Sequence, residues 1–143
     1  MLRASAGFRP LLIERPVLIQ PYDIDFAGHV NNAVYVRWLE DWRMALLAAY
    51  CPLQELMKEG MAPVVAETTI HYRRPLHLFD TAVGRMWCTT LGRATLALEA
   101  EITVGDAVHT RASQRIMLVN VLKQKPMRTP EALRSAFSKT TNG

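Results

Sequence analysis

The hydrophobic positions of the chain change their period along its length and divide it into a strand, a long helix and a series of strands. Residues 11–20 alternate as a strand does, with Pro16 favouring an edge position or a bulge. Over residues 31–50 the apolar positions repeat every three to four residues, which predicts a long helix. Trp38 and Trp42 share the main apolar stripe of that helix. We therefore expect a large surface, such as a sheet, to cover it.

The opposite side of the predicted helix mixes charged and apolar positions. Its charged residues are Arg37, Glu40, Asp41 and Arg43. The apolar residues between them make this side too hydrophobic to be wholly solvated. We expect partial cover there, for instance from another subunit.

After the long helix, the pattern predicts a short helix and four strands linked mainly by hairpins. Pro52 fits the first turn of the short helix and Gly60 its C-terminal end. Thr129 is expected to cap a terminal helix that runs to about Phe137. The order of elements predicts an α+β domain with an antiparallel sheet against one dominant helix. The predicted strands are 63–72, 81–91, 94–104 and 107–122, the last two joined by a tight turn at Gly105-Asp106.

The composition is typical of a soluble globular protein. Of 143 residues, 50% are hydrophobic and 21% are charged. Area scaling allows about two thirds of the unfolded surface to be buried, enough for a core without covalent staples. No apolar run is long enough to cross a bilayer, so no membrane span is expected. We expect one domain over residues 1–143, with 1–10 as a flexible leader and 138–143 as a flexible tail.

Charge and cysteine content narrow the class further. The net charge of +4 is small, and no Lys/Arg run of the kind that binds nucleic acid is present. The Arg73-Arg74 pair and the lysines near Lys123 suit a phosphorylated small ligand better than DNA, although a solvated surface is the more common explanation of any one cluster. Cys51 and Cys88 lack the spacing of a disulfide framework or zinc site, which favours a reducing, cytoplasmic location.

The most unusual stretch of the chain is the turn that leads into the long helix. It combines two carboxylates, Asp23 and Asp25, with Gly28, His29 and two asparagines. The free N–H groups and positive dipole end of a helix start can polarise a carbonyl oxygen or hold an oxyanion. Gly28 allows a close approach of the backbone to a ligand. A carboxylate at Asp25 would lie beside that electrophile, where it can attack or activate a water.

Taken one at a time, these residues also have ordinary structural explanations. Asp23 and Asp25 are common turn residues, and Asn31 or Asn32 would serve as a helix N-cap. A single histidine such as His29 more often packs than acts as a base. An Asp-x-Asp metal site lacks a third ligand at a suitable spacing. The other histidines, which we expect to pack or lie on strand surfaces, are His71, His77 and His109.

The segment as a whole closely resembles the hotdog-fold acyl-CoA thioesterases, and most closely their 4-hydroxybenzoyl-CoA thioesterase-like branch. The resemblance covers nearly the whole chain. It implies a hotdog fold, in which a five-stranded antiparallel sheet wraps around one long central helix. The residues that carry it are Asp23-Ile-Asp25-Phe-Ala-Gly28-His29-Val-Asn31-Asn32-Ala-Val-Tyr35, Trp38-Leu39-Glu40, Tyr72-Arg73-Arg74-Pro75-Leu76, Asp80, Leu91-Gly92-Arg93 and Lys125-Pro126.

The resemblance implies that Asp25 is the catalytic carboxylate, with Asp23 as a supporting turn residue. Backbone amides between Gly28 and Val30 would polarise the thioester carbonyl. Another branch of the family uses a glutamate on the helix, and Glu40 occupies the helix here. Asp25 already fills that role, so Glu40 is disfavoured.

Further roles follow from the same resemblance. Hydrolysis in this family needs no metal or redox cofactor. The residues expected to position the reacting groups are His29, Asn31 and Asn32. The residues expected to bind substrate are Asn31, Tyr35, Arg73, Arg74 and Arg93, the arginines through the phosphates of CoA.

The expected function is hydrolysis of an acyl thioester of CoA, or of acyl-carrier protein, by a homodimer or homotetramer with sites at the subunit interface. The main alternative is a module of the same fold that binds the thioester without hydrolysing it. A hydratase of this fold would need a paired histidine and acid that the sequence does not show. A purely structural oligomer would not need an acidic, glycine-containing turn at the helix start.

Overall fold

A computed structural model describes residues 1–141 of the chain. Within them, a six-stranded antiparallel sheet packs against a long helix. The strands are β1 (Leu2–Arg3), β2 (Ile13–Val17), β3 (Met61–Tyr72), β4 (Ala82–Leu91), β5 (Thr95–Val104) and β6 (Ala107–Asn120). The helices are α1 (Asn32–Tyr50), α2 (Leu53–Lys58) and α3 (Glu131–Thr141), with one turn of 3-10 helix at Pro21–Asp23.

The order of the strands confirms the predicted hotdog arrangement. Strands β4, β5, β6 and β3 are neighbours in that order, and β1 and β2 both pair with the outer edge of β4. The predicted fifth position of the sheet is thus shared by two short strands, which raises the count to six. At the opposite side of the sheet, β3 pairs only with β6 within residues 1–141, so its other edge is free.

The N-terminal residues are held against the sheet, which differs from the expected flexible leader. Leu2 and Arg3 pair with the end of β4. The Arg9 guanidinium lies 4.1 Å from the centre of the Trp87 ring. It also donates a hydrogen bond of 2.8 Å to Glu101, which is only 5% exposed on the outer face of the sheet. This ion pair and the cation–π contact fix the segment.

The last elements also differ in extent from their predictions. Strand β6 ends at Asn120, because the Asn120 side chain accepts the N–H groups of Leu122 and Lys123 and starts a turn. Helix α3 continues past Phe137 to Thr141, and residues 142–143 of the expected tail lie outside the described residues. Thr129 does not cap this helix through its hydroxyl, which instead donates to carbonyl oxygens of the β4–β5 turn.

Helix α1 begins and ends close to its predicted limits, but its buried face is wider than predicted. The sequence pattern placed Arg43 on the polar side, whereas the structure buries it to 8% exposure. Its guanidinium donates to the Gln114 side chain at 3.0 Å, and Gln114 donates to Thr68 at 3.1 Å. Burial lowers the pKa of Arg43. A polar chain therefore links α1 to β6 and β3 through the core.

Helix α1 contacts the backbone of the sheet through Trp42. Its indole lies on the backbone of Gly84 in β4, and a Cβ atom at Gly84 would overlap the ring. Apolar side chains of α1 and of the inner face of the sheet form one core cluster that includes Trp42. The glycine thus fixes the distance between helix and sheet, and with it the position of the N-terminal end of α1.

Candidate active site

Asp23 holds together the turn that precedes α1. Its side chain is buried and accepts a 2.9 Å hydrogen bond from the N–H of Gln20. Arg37 lies 3.4 Å from the other carboxylate oxygen, and the Asp23 carbonyl accepts the N–H of Asn31 at 2.8 Å. Both carboxylate oxygens are therefore used in the turn. This is the supporting position that the sequence predicts for Asp23.

Asp25 lies at the centre of the turn and is half-buried. One carboxylate oxygen accepts the N–H of Ala27 at 2.9 Å. The main chain of Asp25 is bonded on both sides, since its N–H donates to the His29 carbonyl and its carbonyl accepts from Gly28. The second carboxylate oxygen has no hydrogen-bond partner in the part of the chain that the structure describes. Asp25 therefore presents one free oxygen from a fixed backbone.

Gly28 has a φ of +81°, the left-handed conformation that glycine adopts without strain. Nothing lies within 4 Å of the place where its Cβ would be. The backbone beside Asp25 is consequently open to an approaching ligand.

The backbone N–H groups around Asp25 divide into occupied and free donors. The N–H of Gly28 donates to Asp25 at 3.0 Å, and that of Val30 donates to the Leu76 carbonyl at 2.9 Å. These two groups, both expected to polarise a carbonyl, are not available in this structure. In contrast, the N–H groups of His29 and Asn32 have no hydrogen-bond partner within residues 1–141. They are the free donors at the helix start.

Asn31 is the N-cap of α1, as its position before the helix predicts. Its side-chain oxygen accepts the N–H of Ala33 at 2.9 Å. That oxygen is therefore engaged, and Asn31 orients the helix start rather than offering a free acceptor to a substrate. The Asn32 side chain is exposed at the first position of the helix.

Aromatic side chains of β3 and α1 pack against one another at the start of α1. Tyr72 donates a 3.1 Å hydrogen bond to the Asn32 carbonyl. Its ring packs edge-on against Tyr35 at 4.9 Å, and Tyr35 packs in the same way against Trp38 at 5.2 Å. Tyr35, expected to bind substrate, is buried at 3% exposure, and burial raises its pKa. The Tyr35 side chain is therefore part of the buried packing beneath the start of α1 and does not line an open surface.

The structure adds His77 and Asp80, which the sequence analysis did not place in the site. The rings of His77 and His29 meet edge to face, with 5.2 Å between their centres. Asp80 accepts the backbone N–H of His77 at 2.8 Å and lies 3.6 Å from its Nδ1. The sequence signal for this turn is Asp80 itself, because aspartate side chains commonly accept backbone N–H groups in turns.

Two of the three predicted phosphate-binding arginines, Arg73 and Arg74, lie at the start of the loop that contacts the beginning of α1. The backbone N–H groups of Arg73 and Arg74 both donate to the His109 carbonyl at 3.0 Å, and both residues are exposed. Their loop reaches the helix start, because Leu76 accepts the N–H of Val30. Arg93 lies in the turn after β4, at the opposite end of the sheet, and is not brought near Asp25 within one chain.

Glu40, the helix-borne alternative carboxylate, is exposed and lies 3.9 Å from Arg43, and it lines one pocket together with Asp23 of the turn. Among residues 1–141, no three His, Cys, Asp or Glu side chains are arranged to hold a metal ion. No helix of the described chain is long and apolar enough to cross a membrane.

Known proteins resemble this chain in sequence and in fold. Over 128 residues the chain is 27% identical to the acyl-CoA thioester hydrolase YbgC of Escherichia coli O6:H1, a match that covers 88% of this chain and 96% of that protein. Over 64 residues it is 36% identical to Protein THEM6 of Xenopus laevis, covering 45% of this chain but only 31% of that longer protein.

A solved structure extends the likeness to three dimensions. The thioesterase of Thermus thermophilus, in complex with coenzyme A and Zn, is 25% identical and superposes with a TM-score of 0.78. The superposition covers 97% of this chain and 98% of that chain. The model of the thioesterase-like superfamily matches residues 19–137, which include the Asp25 turn, α1 and every long strand. By this match over most of its length, the chain belongs to the thioesterase-like superfamily.

Proposed function

We propose that the protein hydrolyses acyl-CoA thioesters, with Asp25 as the reacting carboxylate. The observation that carries the proposal is the free oxygen of Asp25 next to the unpaired N–H groups of His29 and Asn32. A carboxylate and free amide donors at a helix start are what an acyl carbon and its oxygen require. The activity named for YbgC, acyl-CoA thioester hydrolysis, supports the same chemistry.

In the proposed reaction, the thioester oxygen accepts a hydrogen bond from Asn32, His29 or both. The helix dipole contributes only about 0.3–2 kcal/mol, so direct hydrogen bonds provide most of the stabilisation. Either Asp25 attacks the acyl carbon, the C–S bond breaks and water hydrolyses the mixed anhydride, or Asp25 takes a proton from the attacking water. In the second route that proton passes on to the leaving thiolate. An acyl group recovered on the Asp25 peptide after rapid quenching identifies the first route.

In this proposal, the other predicted residues shape the turn and orient the groups around Asp25. Gly28 leaves room for the thioester, and Val30 ties the turn to the Leu76 loop. His29 packs against the His77 ring, and the exposed Asn32 side chain is proposed to position the thioester. Asn31 sets the direction of the helix start as its N-cap.

The phosphates of CoA are proposed to bind Arg73 and Arg74. Both guanidinium groups are exposed, and neither is paired with a carboxylate of the described residues. Planar guanidinium groups match phosphate oxygens with two hydrogen bonds each. Substitution of either arginine should raise KM for an acyl-CoA more than it lowers kcat.

A second copy of the chain is proposed to complete the site, as a homodimer or a dimer of dimers. The free edge of β3, which is twelve residues long, offers the N–H and C=O groups that do not face β6. Near Asp25, the side chains of Phe26 and Phe79 are almost fully exposed, at 104% and 92%. Aromatic surface of this kind is typical of a region that a partner or a ligand covers. The two free thiols, Cys51 and Cys88, fit the proposed cytoplasmic location.

The test compares Asp25→Asn with Asp41→Asn, a matched control on the exposed side of α1. Free-thiol release is measured on acyl-CoA substrates from acetyl to palmitoyl and benzoyl. Asp25→Asn should lower kcat at least about 100-fold, while the control retains the wild-type rate. Near-wild-type kcat in Asp25→Asn would remove Asp25 from the chemistry. Tight acyl-CoA binding without thiol release in the wild type would favour the non-hydrolytic alternative.

A further inference from the structure

The loop between β3 and β4, residues 73–81, is attached to the turn that precedes α1. The carbonyl of Leu76 accepts the N–H of Val30 at 2.9 Å, and Leu76 is itself fully buried. Beside this hydrogen bond, the rings of His77 and His29 meet edge to face, with 5.2 Å between their centres. The loop is therefore in direct contact with the residue that bears one of the two free N–H groups.

Asp80 holds His77 in place from within the same loop. One carboxylate oxygen of Asp80 accepts the backbone N–H of His77 at 2.8 Å and lies 3.6 Å from the Nδ1 atom of its ring. In return, the N–H of Asp80 donates to the His77 carbonyl at 3.1 Å. The His77 side chain is 55% exposed, and an exposed side chain without a partner would keep several conformations. The contacts with Asp80 thus favour the one position in which the ring lies against His29.

The N–H of His29 needs support from the loop because a glycine precedes it. Gly28 has a φ of +81° and open space around it, so the backbone on that side has unusual freedom. On the other side, the His29 carbonyl accepts the N–H of Asp25 at 2.9 Å. The N–H of His29 itself has no hydrogen-bond partner within residues 1–141. Its direction is therefore set by that carbonyl bond and by the packing of the His29 ring.

We propose that His77, held by Asp80, is a positioning residue for the oxyanion donor at His29. This inference rests on the proposed function, in which the N–H of His29 donates to the thioester oxygen. A donor stabilises an oxyanion best when its direction is fixed before the reaction. The ring of His77 restricts the side chain of His29 and, with it, the backbone that carries the N–H. His77 acts through His29 and does not touch the reacting atoms.

Loss of the His77 ring separates this role from a purely structural one. Asp80 is a common turn residue, so its bonds would close the loop even if His77 had no part in the reaction. A role in loop closure alone leaves kcat unchanged in a variant that still folds. A positioning role lowers kcat and leaves KM almost unchanged, because the oxyanion forms only in the transition state.

The first measurement compares kcat and KM in His77→Ala, His77→Phe and the control His71→Ala, with an acyl-CoA that the wild type hydrolyses. His71 is an exposed histidine of β3. His77→Ala should lower kcat about tenfold, a part of the roughly 100- to 1,000-fold loss typical of a removed oxyanion donor, with KM within about twofold of the wild type. His77→Phe keeps a ring against His29 and should retain about half of the wild-type kcat or more. The control should retain the wild-type kcat.

Three results of this comparison would overturn the proposal. They are a wild-type kcat in His77→Ala, a change confined to KM, and an equal loss of kcat in His77→Phe. The last result would make the imidazole itself the active group. Urea unfolding of each variant checks that folded proteins are compared, and the exposed His77 side chain should be removable without a change in midpoint.

A second measurement does not depend on hydrolysis. The heteronuclear 15N NOE of the His29 amide reports the motion of this N–H on the picosecond to nanosecond timescale. It should fall in His77→Ala and stay at the wild-type value in His77→Phe and His71→Ala. An unchanged value in His77→Ala would also contradict the proposed role. If the wild type hydrolyses no thioester, the proposed function fails, while this measurement still decides whether His77 holds His29.

Discussion

Replacing Gly84 by alanine should destabilise the protein, because this glycine provides the space for the Trp42 indole. A Cβ at Gly84 would lie 2.8 Å from Cε2 of Trp42 and closer still to Cζ2 and Cη2. Atoms do not approach so closely, so the ring, the helix or the strand has to move. Trp42 is 4% exposed and belongs to the main core, so the ring has little free space to move into.

The size of the effect follows from overpacking. Added methyl groups in well-packed cores cost about 1–3 kcal/mol, and contact with rigid ring atoms places this change at the upper end, about 3 kcal/mol. Unfolding entropy of about 2.1 cal/mol/K per residue gives about 0.3 kcal/mol/K for the 143 residues. A loss of about 3 kcal/mol therefore lowers Tm by about 10 °C.

Thermal and urea unfolding, followed by circular dichroism, measure this loss in a double-mutant cycle with Trp42→Leu. The leucine variant alone is also destabilised, because it leaves a cavity. In its background the Gly84→Ala change has room, and alanine in a strand is then favoured over glycine by about 0.5–1 kcal/mol. The sign of the alanine effect should reverse. An equal loss in both backgrounds, or an unchanged Tm in Gly84→Ala alone, would refute the steric reasoning.

Three further predictions concern buried polar and titratable groups. The Thr110 hydroxyl is buried close to Tyr35 but has no hydrogen-bond partner within residues 1–141. Thr110→Val removes this unpaired group and should raise the free energy of unfolding by about 1 kcal/mol or more. A lower urea midpoint in the variant would contradict this. Thr129→Val removes the hydroxyl that bonds the β4–β5 turn and should cost about 1–3 kcal/mol in urea unfolding, whereas Thr129→Ser should retain most of the stability. Burial raises the pKa of Cys88 to about 12, so its thiol stays protonated at pH 8 and iodoacetamide should modify it only after unfolding. Because the folded pKa lies above the unfolded value of 9.0, the folded state holds the proton more tightly, and stability should fall as the pH rises from about 9 towards 12. Cys88→Ala should weaken this dependence on pH.

The hydropathy pattern predicts the main elements well, since they depend on local periodicity. The limits of α1 and the hairpin at Gly105 are confirmed, because an amphipathic period and a glycine with positive φ act over a few residues. Strand β1 was missed, since two residues carry no period. Arg43 was placed on the polar side of α1 because its buried partner, Gln114, lies far away in the chain.

In the candidate site, too, the features set by local sequence could be predicted and those set by long-range contacts could not. The Asp25 turn is recognisable from a contiguous run of residues, as is Asn31 as a helix N-cap. The occupied N–H of Val30 depends on Leu76, a distant residue whose approach no local pattern reveals. His77 joins His29 by the same kind of long-range contact. The separation of Arg93 from Asp25 follows from strand direction, which residue types alone do not encode.

The two outer edges of the sheet differ in a way that limits self-association. Beyond β4, the edge is divided between β1 and β2, and Pro16 in β2 lacks the N–H that an added strand would need. The edge of β3 is longer, at twelve residues, but Pro63 and a bulge between Val65 and Glu67 interrupt it, so an incoming chain finds a continuous ladder mainly over residues 67–72. Growth by edge pairing would end once two molecules have joined, and open-ended fibrils built by repeated strand addition are disfavoured.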